Sequence, residues 1–206
     1  MRIIIASNNE HKVSEIKEIL KDFHFEVLSL NDAGINIEVE EDQETFEGNA
    51  YKKAFEIFQS LSEEEKLDTL VLSDDTGLAV DYLNGAPGVY SARYSGIAHD
   101  YAANNVKLLK ELQGVPMEKR TAKFVTSMVL LGNDVDIRVS GEARGRILLE
   151  KAGHEGFGYD PLFYSDDLKK SFAESTGKEK NSVSHRGRAL EALIKELRKR
   201  EDRGGF

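Results

Sequence analysis

Two adjacent aspartates, Asp74 and Asp75, follow the apolar run LDTLVL and precede Thr76 and Gly77. Adjacent carboxylates repel each other, so a segment selected for stability alone would avoid the pair. Carboxylate oxygens at the end of a buried strand suit Mg²⁺, which commonly binds one or two carboxylates together with substrate phosphates. Thr76 could donate a hydrogen bond to a phosphate oxygen, and Gly77 would allow close approach. The alternative is an Asx-type turn between two strands.

A second candidate is the segment SNNEHK, residues 7–12, which leads from a predicted strand into a predicted helix. A helix N-terminus offers backbone N–H groups and the positive end of the helix dipole, and both bind anions. Ser7, Asn8 and Asn9 add small polar side chains, and Lys12 adds a positive charge. The segment lacks the glycines of a P-loop, so an ordinary helix cap followed by a solvated lysine is the alternative.

Two further segments combine glycine with aromatic or basic residues. GHEGFGYD, residues 153–160, places Phe157 and Tyr159 among glycines, where an aromatic face could stack on a nucleobase. SHRGRAL, residues 184–190, places His185 and Arg186 at a predicted helix start, where cations oppose the helix dipole. Arg186 could present a planar set of donors to carbonyl oxygens of a ligand. Alternatively, the aromatics close a turn over the core and the basic residues lie on the surface.

Hydrophobic periodicity predicts the elements that must position these residues. Strands are predicted over residues 2–6, 25–30, 68–73, 77–83, 121–132 and 135–148, and the glycine-rich loop 153–164 leads into a further short strand. Helices are predicted over residues 10–22, 45–61, 100–113 and 184–199. The turn GND joins residues 121–132 to 135–148 as a hairpin. Strands that alternate with helices, together with one antiparallel hairpin, indicate a mixed α/β fold.

The overall composition limits the function. The chain has 206 residues, of which 40% are hydrophobic, and a net charge of −9. This length predicts one domain over residues 1–206, and the acidity disfavours nucleic acid, whose binding depends on Lys and Arg. The absence of cysteine excludes disulfides and zinc–thiolate sites. The apolar patch near the start is too short for a signal peptide or a membrane span, so a cytoplasmic protein without a membrane partner is predicted.

Five motifs together resemble the inosine triphosphate pyrophosphatase family, also called the Ham1 or RdgB-type family. They are ASNNEHKVSEI, TFEGNAYKKA, SDDTGLAVDYLNGAPGVYSARY, GFGYDPLF and EKNSVSHRGRAL, and the resemblance spans residues 5 to 194. It implies an α/β fold with a mixed sheet, flanking helices and two lobes around a central nucleotide-binding cleft. It also implies a homodimer that hydrolyses ITP, dITP and XTP with Mg²⁺ to the monophosphate and pyrophosphate, clearing deaminated purines from nucleotide pools.

The resemblance implies a role for each matching residue. Asp75 would be the general base and a metal ligand, with Asp74 and Glu41 as further ligands. The phosphates would be bound by Ser7, Asn8, Asn9, Glu10, His11, Lys12 and Lys53, and Thr76 would touch the substrate. The base would be bound by Phe157, Gly158, Tyr159, Asp160, Lys180, His185 and Arg186. The sequence departs from the family at Gly48, where Glu is usual, and lacks the glycine common near position 43.

Two other classes of protein are alternatives. An aspartate-based phosphatase of the haloacid-dehalogenase kind would place Asp-x-Asp after the first strand, whereas this strand ends in ASNNE. A non-catalytic nucleotide- or RNA-binding module could use the same aromatic loop without turnover, although the acidity of the chain argues against RNA. Release of pyrophosphate from ITP would distinguish the enzyme from the binding module.

Overall fold

The structure, a computed structural model, describes residues 1–21 and 23–202. The strands are β1 Arg2–Ile5, β2 Glu26–Ser29, β3 Thr69–Val80, β4 Thr121–Gly132, β5 Val135–Ile147 and β6 Phe163–Ser165. The helices are α1 Glu10–Leu20, α2 Phe46–Ser60, α3 Glu63–Lys66, α4 Tyr101–Glu111, α5 Gly177–Val183 and α6 His185–Glu201. Position 22, the predicted end of the first helix, lies outside the described residues. The four long helices predicted from periodicity are confirmed.

The strands form one six-stranded sheet in the order β2-β1-β3-β4-β5-β6. Strand β1 runs parallel to both β2 and β3, whereas β6 is antiparallel to β5. Strands β4 and β5 are neighbours joined by Asn133 and Asp134, which confirms the predicted hairpin. The predicted fold class, a mixed sheet with flanking helices, is therefore confirmed. No helix within the described ranges is both long and apolar enough to cross a membrane.

The chain forms two compact units. The first comprises residues 1–75, 127–140 and the described residues from 189 onward, and the second comprises residues 76–126 and 141–188. Each of the strands β3, β4 and β5 contributes residues to both units. The prediction of one domain over the whole chain stays a prediction.

Alternation along β1 gives the first unit a hydrophobic cluster on each face of its strands, because successive side chains of a strand point to opposite faces. Ile3 and Ile5 pack in one cluster with apolar residues of α1 and α6. Ile4 packs in the other cluster with the apolar side of α2. Strand β3 alternates in the same way, with Leu72 in the α1 cluster and Val71 in the α2 cluster. One face of these strands therefore packs against α1 and α6, and the other face packs against α2.

The predicted break between two strands at the aspartate pair is wrong, because β3 continues from Thr69 to Val80 without interruption. The same alternation explains how a strand accommodates the pair. Asp74 follows Leu72 on the α1 face and forms an ion pair with Lys12 of α1. Asp75 follows Val71 and residue 73 on the α2 face and accepts a hydrogen bond from Asn49 of α2. Each carboxylate therefore has its own partner on its own face.

The second unit has a core of aromatic and aliphatic side chains that includes Phe124, Phe163 and Phe172. Helix α5 in this unit was not predicted. Of its seven residues only Lys180 is buried, so it has no apolar periodicity to detect. Its sequence signal is the capping box formed by Thr176 and Glu179, each of which binds the backbone N–H of the other.

Gly187→Ala is expected to lower the free energy of unfolding by about 1–3 kcal/mol, the usual range for overpacking. A Cβ at position 187 would lie 1.9 Å from the carbonyl oxygen of Asn181, so α5 and the start of α6 approach too closely for a side chain. Gly177→Ala is the control, because its Cβ would meet nothing within 4 Å. That control should be neutral or stabilise by up to about 1 kcal/mol. Urea unfolding measures both, and equal values would contradict the close approach.

Candidate active site

The predicted site residues fall into two groups, one in each compact unit. The group in the first unit, called the carboxylate–lysine cluster, consists of Lys12, Glu41, Lys53, Asp74 and Asp75. The group in the second unit, called the loop group, consists of Thr76, Phe157, Gly158, Tyr159, Asp160, Lys180, His185 and Arg186. The segment Ser7–Lys12 belongs to the first unit and begins α1.

The position of the aspartates follows from the lengths of the parallel strands. Strand β1 ends at Ile5, which pairs with Leu72, and the N–H of Ala6 donates to the carbonyl of Leu72 at 2.8 Å. Asp74 and Asp75 therefore extend past the carboxyl end of β1. In open α/β sheets this edge is where ligands bind, at the point where the strand order reverses. Here the order β2-β1-β3 places that point between β1 and β3.

Ion pairs and hydrogen bonds connect the carboxylate–lysine cluster. Lys12 Nζ lies 3.1 Å from Asp74 Oδ2, and the Asp74 side chain is fully buried. Lys53 Nζ donates to Glu41 Oε1 and to the backbone carbonyl of Asp74, both at 2.6 Å. Asp75 Oδ2 accepts a hydrogen bond of 3.0 Å from Asn49 Nδ2. Both lysines and all three carboxylates thus have polar partners within the first unit.

Local sequence patterns explain the positions of Glu41 and of Lys53 on α2. Ile35, Ile37 and Val39 pack against the α2 cluster of the core, and Glu41 continues this alternation inward. On α2, Asn49 and Lys53 are four residues apart and so share one face of the helix. Asn49 also accepts the backbone N–H of residue 43 at 2.9 Å, which ties the acidic segment to the helix.

Asp75 and Lys53 respond differently to their burial. Burial raises the pKa of Asp75 above its ordinary value, Lys53 opposes this shift and the negative charge of Glu41 adds to it. Burial would also lower the pKa of Lys53, but the charges of Glu41, Asp75 and Asp74 outweigh it and raise that pKa. Lys53 therefore stays charged, whereas Asp75 is a carboxylate with an increased affinity for a proton. That is the property required of a general base.

The segment Ser7–Lys12 forms a helix cap. Asn9 Oδ1 accepts the backbone N–H groups of His11 at 3.1 Å and of Lys12 at 3.3 Å, and Ser7 Oγ accepts the N–H of Asn9 at 3.1 Å. Asn8, Glu10 and His11 are exposed. The Lys12 side chain is only 15% exposed and is paired with Asp74, so it is not the solvated lysine of the alternative interpretation.

In the loop group, Asp160 organises the residues around it. Its Oδ2 accepts the backbone N–H of Phe157 at 2.9 Å and Lys180 Nζ at 2.8 Å. Both Asp160 and Lys180 are buried. Gly156 makes this turn possible, since its φ is +74° and a Cβ there would lie 2.1 Å from Asp160 Oδ2. The glycines of the sequence motif thus allow a buried carboxylate to fold back on its own loop.

Two cations lie near the ring of Phe157. Lys180 Nζ is 5.0 Å and Arg186 Cζ is 6.0 Å from the ring centroid, and Arg186 is almost fully buried. Arg186 Nη2 also lies 3.4 Å from Thr76 Oγ1, and Thr76 forms a short hydrogen bond with Thr126. Thr76 therefore contacts Arg186, another member of the loop group.

His185 and Tyr159 lie mainly against the core of the second unit. The His185 ring stacks on Phe124, with centroids 4.7 Å apart and planes 17° apart. Tyr159 is 5% exposed, and its hydroxyl donates to the carbonyl of Ser91 at 3.0 Å. The structure thus brings Phe157, Lys180 and Arg186 together and uses Tyr159 to anchor the loop.

Comparison with known proteins assigns the chain to a family. The Ham1 family model matches residues 3–196. The chain belongs to the Ham1 family. The resemblance predicted from the five sequence motifs is therefore confirmed.

Members of the Ham1 family with similar sequences or structures span nearly the whole chain. The dITP/XTP pyrophosphatase of Clostridium perfringens is 54% identical over 198 residues, covering 96% of this chain and 97% of that protein. The Staphylococcus aureus Ham1 protein has a TM-score of 0.84 and 36% identity, covering 97% of this chain and 99% of that one. A nucleoside-triphosphatase / dITP/XTP pyrophosphatase from Mycobacterium abscessus has a TM-score of 0.74 and 42% identity, covering 94% of this chain and 99% of that one.

The donors in the carboxylate–lysine cluster of this Ham1 chain fit a hard divalent cation. Among the residues that the structure describes, no group of three or more His, Asp or Glu side chains is arranged to hold a metal ion. Mg²⁺ does not require such a cage, because substrate phosphates and water supply most of its ligands and the protein supplies one or two carboxylates. Asp74, Asp75 and Glu41 offer suitable oxygens.

Gly48, where the family resemblance leads us to expect Glu, occupies a crowded position. A Cβ there would lie 3.0 Å from the Gln43 Cβ and 3.0 Å from the Thr45 Oγ1. Thr45 caps α2 by accepting the N–H of Gly48 at 3.0 Å. The glycine thus allows the acidic segment to pass close to the start of α2. Glu41 reaches Lys53 without help from a carboxylate at position 48.

Asn49, which contacts Asp75, was not predicted as a site residue. The detectable signal is a polar residue on the apolar face of a helix, because Asn49 lies beside Ala50 and one turn before Lys53. Asn49 is 1% exposed, so its amide must find partners within the fold. Both ends of the amide do so, at Asp75 and at the backbone of residue 43.

Proposed function

We propose that this chain is a Mg²⁺-dependent nucleoside triphosphate pyrophosphatase that converts ITP, dITP and XTP to the monophosphate and pyrophosphate. It thereby removes deaminated purines from nucleotide pools. The observation that carries this proposal is the carboxylate–lysine cluster past the carboxyl end of β1, where buried Asp75 is held by Asn49 and Lys53 bridges Glu41 and the backbone of Asp74. The names of the C. perfringens and M. abscessus relatives support dITP and XTP as substrates.

The phosphates of the substrate are assigned to the carboxylate–lysine cluster. Lys12 and Lys53 supply two positive charges against the three negative charges of Glu41, Asp74 and Asp75. A triphosphate adds more negative charge, so an additional cation is required for binding. Mg²⁺, with one or two carboxylate oxygens of this cluster among its ligands, would supply that charge and stabilise the negative charge that develops on the phosphates.

Asp75 is assigned as the general base. A water oxygen attacks phosphorus at the bridge between the α and β phosphates, and the bond from that phosphorus to the bridging oxygen breaks. Asp75 takes the proton that the attacking water loses. Asn49 donates to Asp75 Oδ2 and so fixes the orientation of the carboxylate.

The purine base is assigned to the loop group. The ring of Phe157 offers a face on which any purine can stack, so it supplies affinity without selection. Lys180 and Arg186 are donors, and a 6-oxo group accepts hydrogen bonds from them. The 6-amino group of ATP is itself a donor and cannot accept hydrogen bonds from Lys180 or Arg186. A buried donor without a partner costs about 1–3 kcal/mol. Selection against ATP follows from this mismatch.

The protein is further proposed to be a cytoplasmic homodimer that binds neither nucleic acid nor membranes. Its net charge of −9 is unfavourable for binding to phosphate backbones. The homodimer follows from the family resemblance, and light scattering during gel filtration measures the oligomeric state. A mass of one chain, 23.0 kDa, would contradict the dimer.

A product assay tests the reaction. Purified protein is incubated with Mg²⁺ and with ITP, dITP, XTP, ATP or GTP, and the products are separated by ion-exchange chromatography. The expected products are IMP, dIMP or XMP with pyrophosphate, and little turnover of ATP. Release of orthophosphate and a diphosphate would indicate a phosphatase instead. Binding of ITP without turnover would indicate a binding module.

Lys12→Ala is expected to raise the KM of every triphosphate about 10- to 100-fold, the effect of losing one hydrogen bond to a charged group. The preference for ITP over ATP should be unchanged, because Lys12 faces phosphates that all substrates share. Lys17→Ala is the control, since Lys17 is on the same helix and pairs with the exposed Asp32. A changed preference with an unchanged KM for ITP would move Lys12 to the base-binding residues.

A further inference from the structure

Helix α4 begins beside the loop that carries Phe157. Tyr101 and Asn105 are four residues apart and therefore lie on the same face of this helix. The centroids of the Tyr101 and Phe157 rings are 6.1 Å apart, and the rings are tilted by 48°. Asn105 Nδ2 donates to the carbonyl of Gly158 at 2.9 Å. One face of α4 thus contacts both the ring and the backbone of the loop.

The hydrogen bonds of Asn105 differ from those of its neighbour Asn104. Both ends of the Asn104 amide are used, since Oδ1 accepts from Ser95 N at 2.7 Å and Nδ2 donates to the carbonyl of Ser91 at 3.4 Å. Asn105 is 3% exposed, and its Oδ1 is buried with no hydrogen-bond partner within the described part of the chain. A buried acceptor without a partner costs stability. Asn105 is therefore better explained by its contact with Gly158 than by a contribution to stability.

Hydrogen bonds fix the backbone of the Phe157 loop, whereas they do not fix the direction of the Phe157 ring. Asp160 accepts a hydrogen bond from the backbone N–H of Phe157, and the hydroxyl of Tyr159 donates one to the carbonyl of Ser91. The Phe157 side chain itself is only partly buried. Its ring direction depends on its neighbours, and Tyr101 is an aromatic neighbour supplied by α4.

We propose that Tyr101 and Asn105 are positioning residues that hold the Phe157 ring in the orientation in which it stacks on the purine base. This inference rests on the proposed function, in which Phe157 supplies the stacking face. Tyr101 supports the ring, and Asn105 fixes the carbonyl that directly follows Phe157. Loss of either contact would weaken binding of the base and leave the reaction of the phosphates unaffected.

Fluorescence tests the positioning without depending on activity. The chain contains no tryptophan, so Phe157→Trp introduces a single reporter at the loop. Adding Tyr101→Ala or Asn105→Ala is expected to shift its emission to longer wavelength, because the ring loses its support and meets more water. Val106→Ala, which removes a 64% exposed side chain from the same helix, is the control and should leave the spectrum unchanged. Superimposable spectra for all four proteins would overturn the proposal.

Kinetics then test the consequence for the substrate. Tyr101→Ala and Asn105→Ala should raise the KM for ITP about three- to tenfold, a fraction of the effect of losing base stacking altogether. The kcat and the inhibition constant of inorganic tripolyphosphate, which has no base, should stay unchanged, and Tyr101→Phe should restore the KM. A lower kcat and melting temperature with an unchanged KM would show a purely structural role and overturn the proposal. Failure of the unmodified protein to hydrolyse ITP would refute the proposed function, and the fluorescence shift would still decide the positioning.

Discussion

Asp75→Asn is expected to reduce kcat for ITP about 10²- to 10⁴-fold, the range for removing a general base. The amide keeps the shape of the carboxylate but cannot take a proton from water. It is also a weaker ligand for Mg²⁺. Asn49 can still contact an oxygen at position 75, so the local packing is preserved. Steady-state hydrolysis of ITP at saturating Mg²⁺ measures the loss.

Stability supplies the control for this variant. Burial raises the pKa of Asp75, so its contribution to stability is present at low pH and is lost as pH rises through the folded-state pKa. At neutral pH the ionised carboxylate therefore costs stability, and the amide does not. Asp75→Asn should melt at the same or a higher temperature than the unmodified protein in metal-free buffer. Near-normal activity in this folded variant would refute the assignment of Asp75 as the base.

A matched surface variant separates the specific effect from a general loss of negative charge. Glu40→Gln removes one carboxylate from the exposed side of the acidic segment, next to Glu41. Its kcat should remain within about twofold of the unmodified value, because surface charges interact weakly through water. A comparable loss of kcat in both variants would indicate that net charge, rather than proton transfer, is the cause.

Much of the fold could be predicted because its long elements have clear periods. Helix α2 shows this, since Ala50, Ala54 and Ile57 recur at helical spacing and are all buried. The continuity of β3 could not be predicted. A strand with two adjacent aspartates is stable only if each has a partner, and those partners are Lys12 and Asn49, distant in sequence. Local patterns carry no information about such long-range pairing.

The candidate site shows the same limit. The types of residue indicated phosphate and metal chemistry at Asp75 and an aromatic surface at Phe157. The sequence did not indicate that Asp160 would turn back onto its own loop to hold Lys180, or that His185 would stack on Phe124. These contacts depend on backbone geometry, such as the positive φ of glycines, and on side chains from distant segments.

In the proposed function, Arg186 of the loop group selects the base and Phe157 stacks on it. Arg186 is 1% exposed and lies between Thr76 and the Phe157 ring, so its guanidinium has a restricted direction. A donor with a fixed direction distinguishes an oxo group from an amino group, whereas a stacked ring does not. The two properties of the site should therefore be lost separately when the two residues are changed.

Arg186→Ala is expected to lower the preference for ITP over ATP, measured as the ratio of kcat/KM values, by about 10²- to 10⁴-fold. Phe157→Ala should instead lower kcat/KM for all purines alike, by about 5- to 150-fold, the equivalent of losing one stacked base. Arg188→Ala, on the same helix and paired with the partly exposed Asp167, should change neither quantity.

Because Arg186 is buried, its removal could unfold the protein, so Arg186→Lys is measured in parallel. Lysine keeps the charge and much of the volume but lacks the planar set of donors. It should keep the melting temperature closer to that of the unmodified protein and still lose most of the preference. Kinetic constants for ITP, XTP, ATP and GTP on each variant decide the assignment. Unchanged ratios for both Arg186 variants, with altered ratios for Phe157→Ala, would assign selection to the ring and affinity to the arginine.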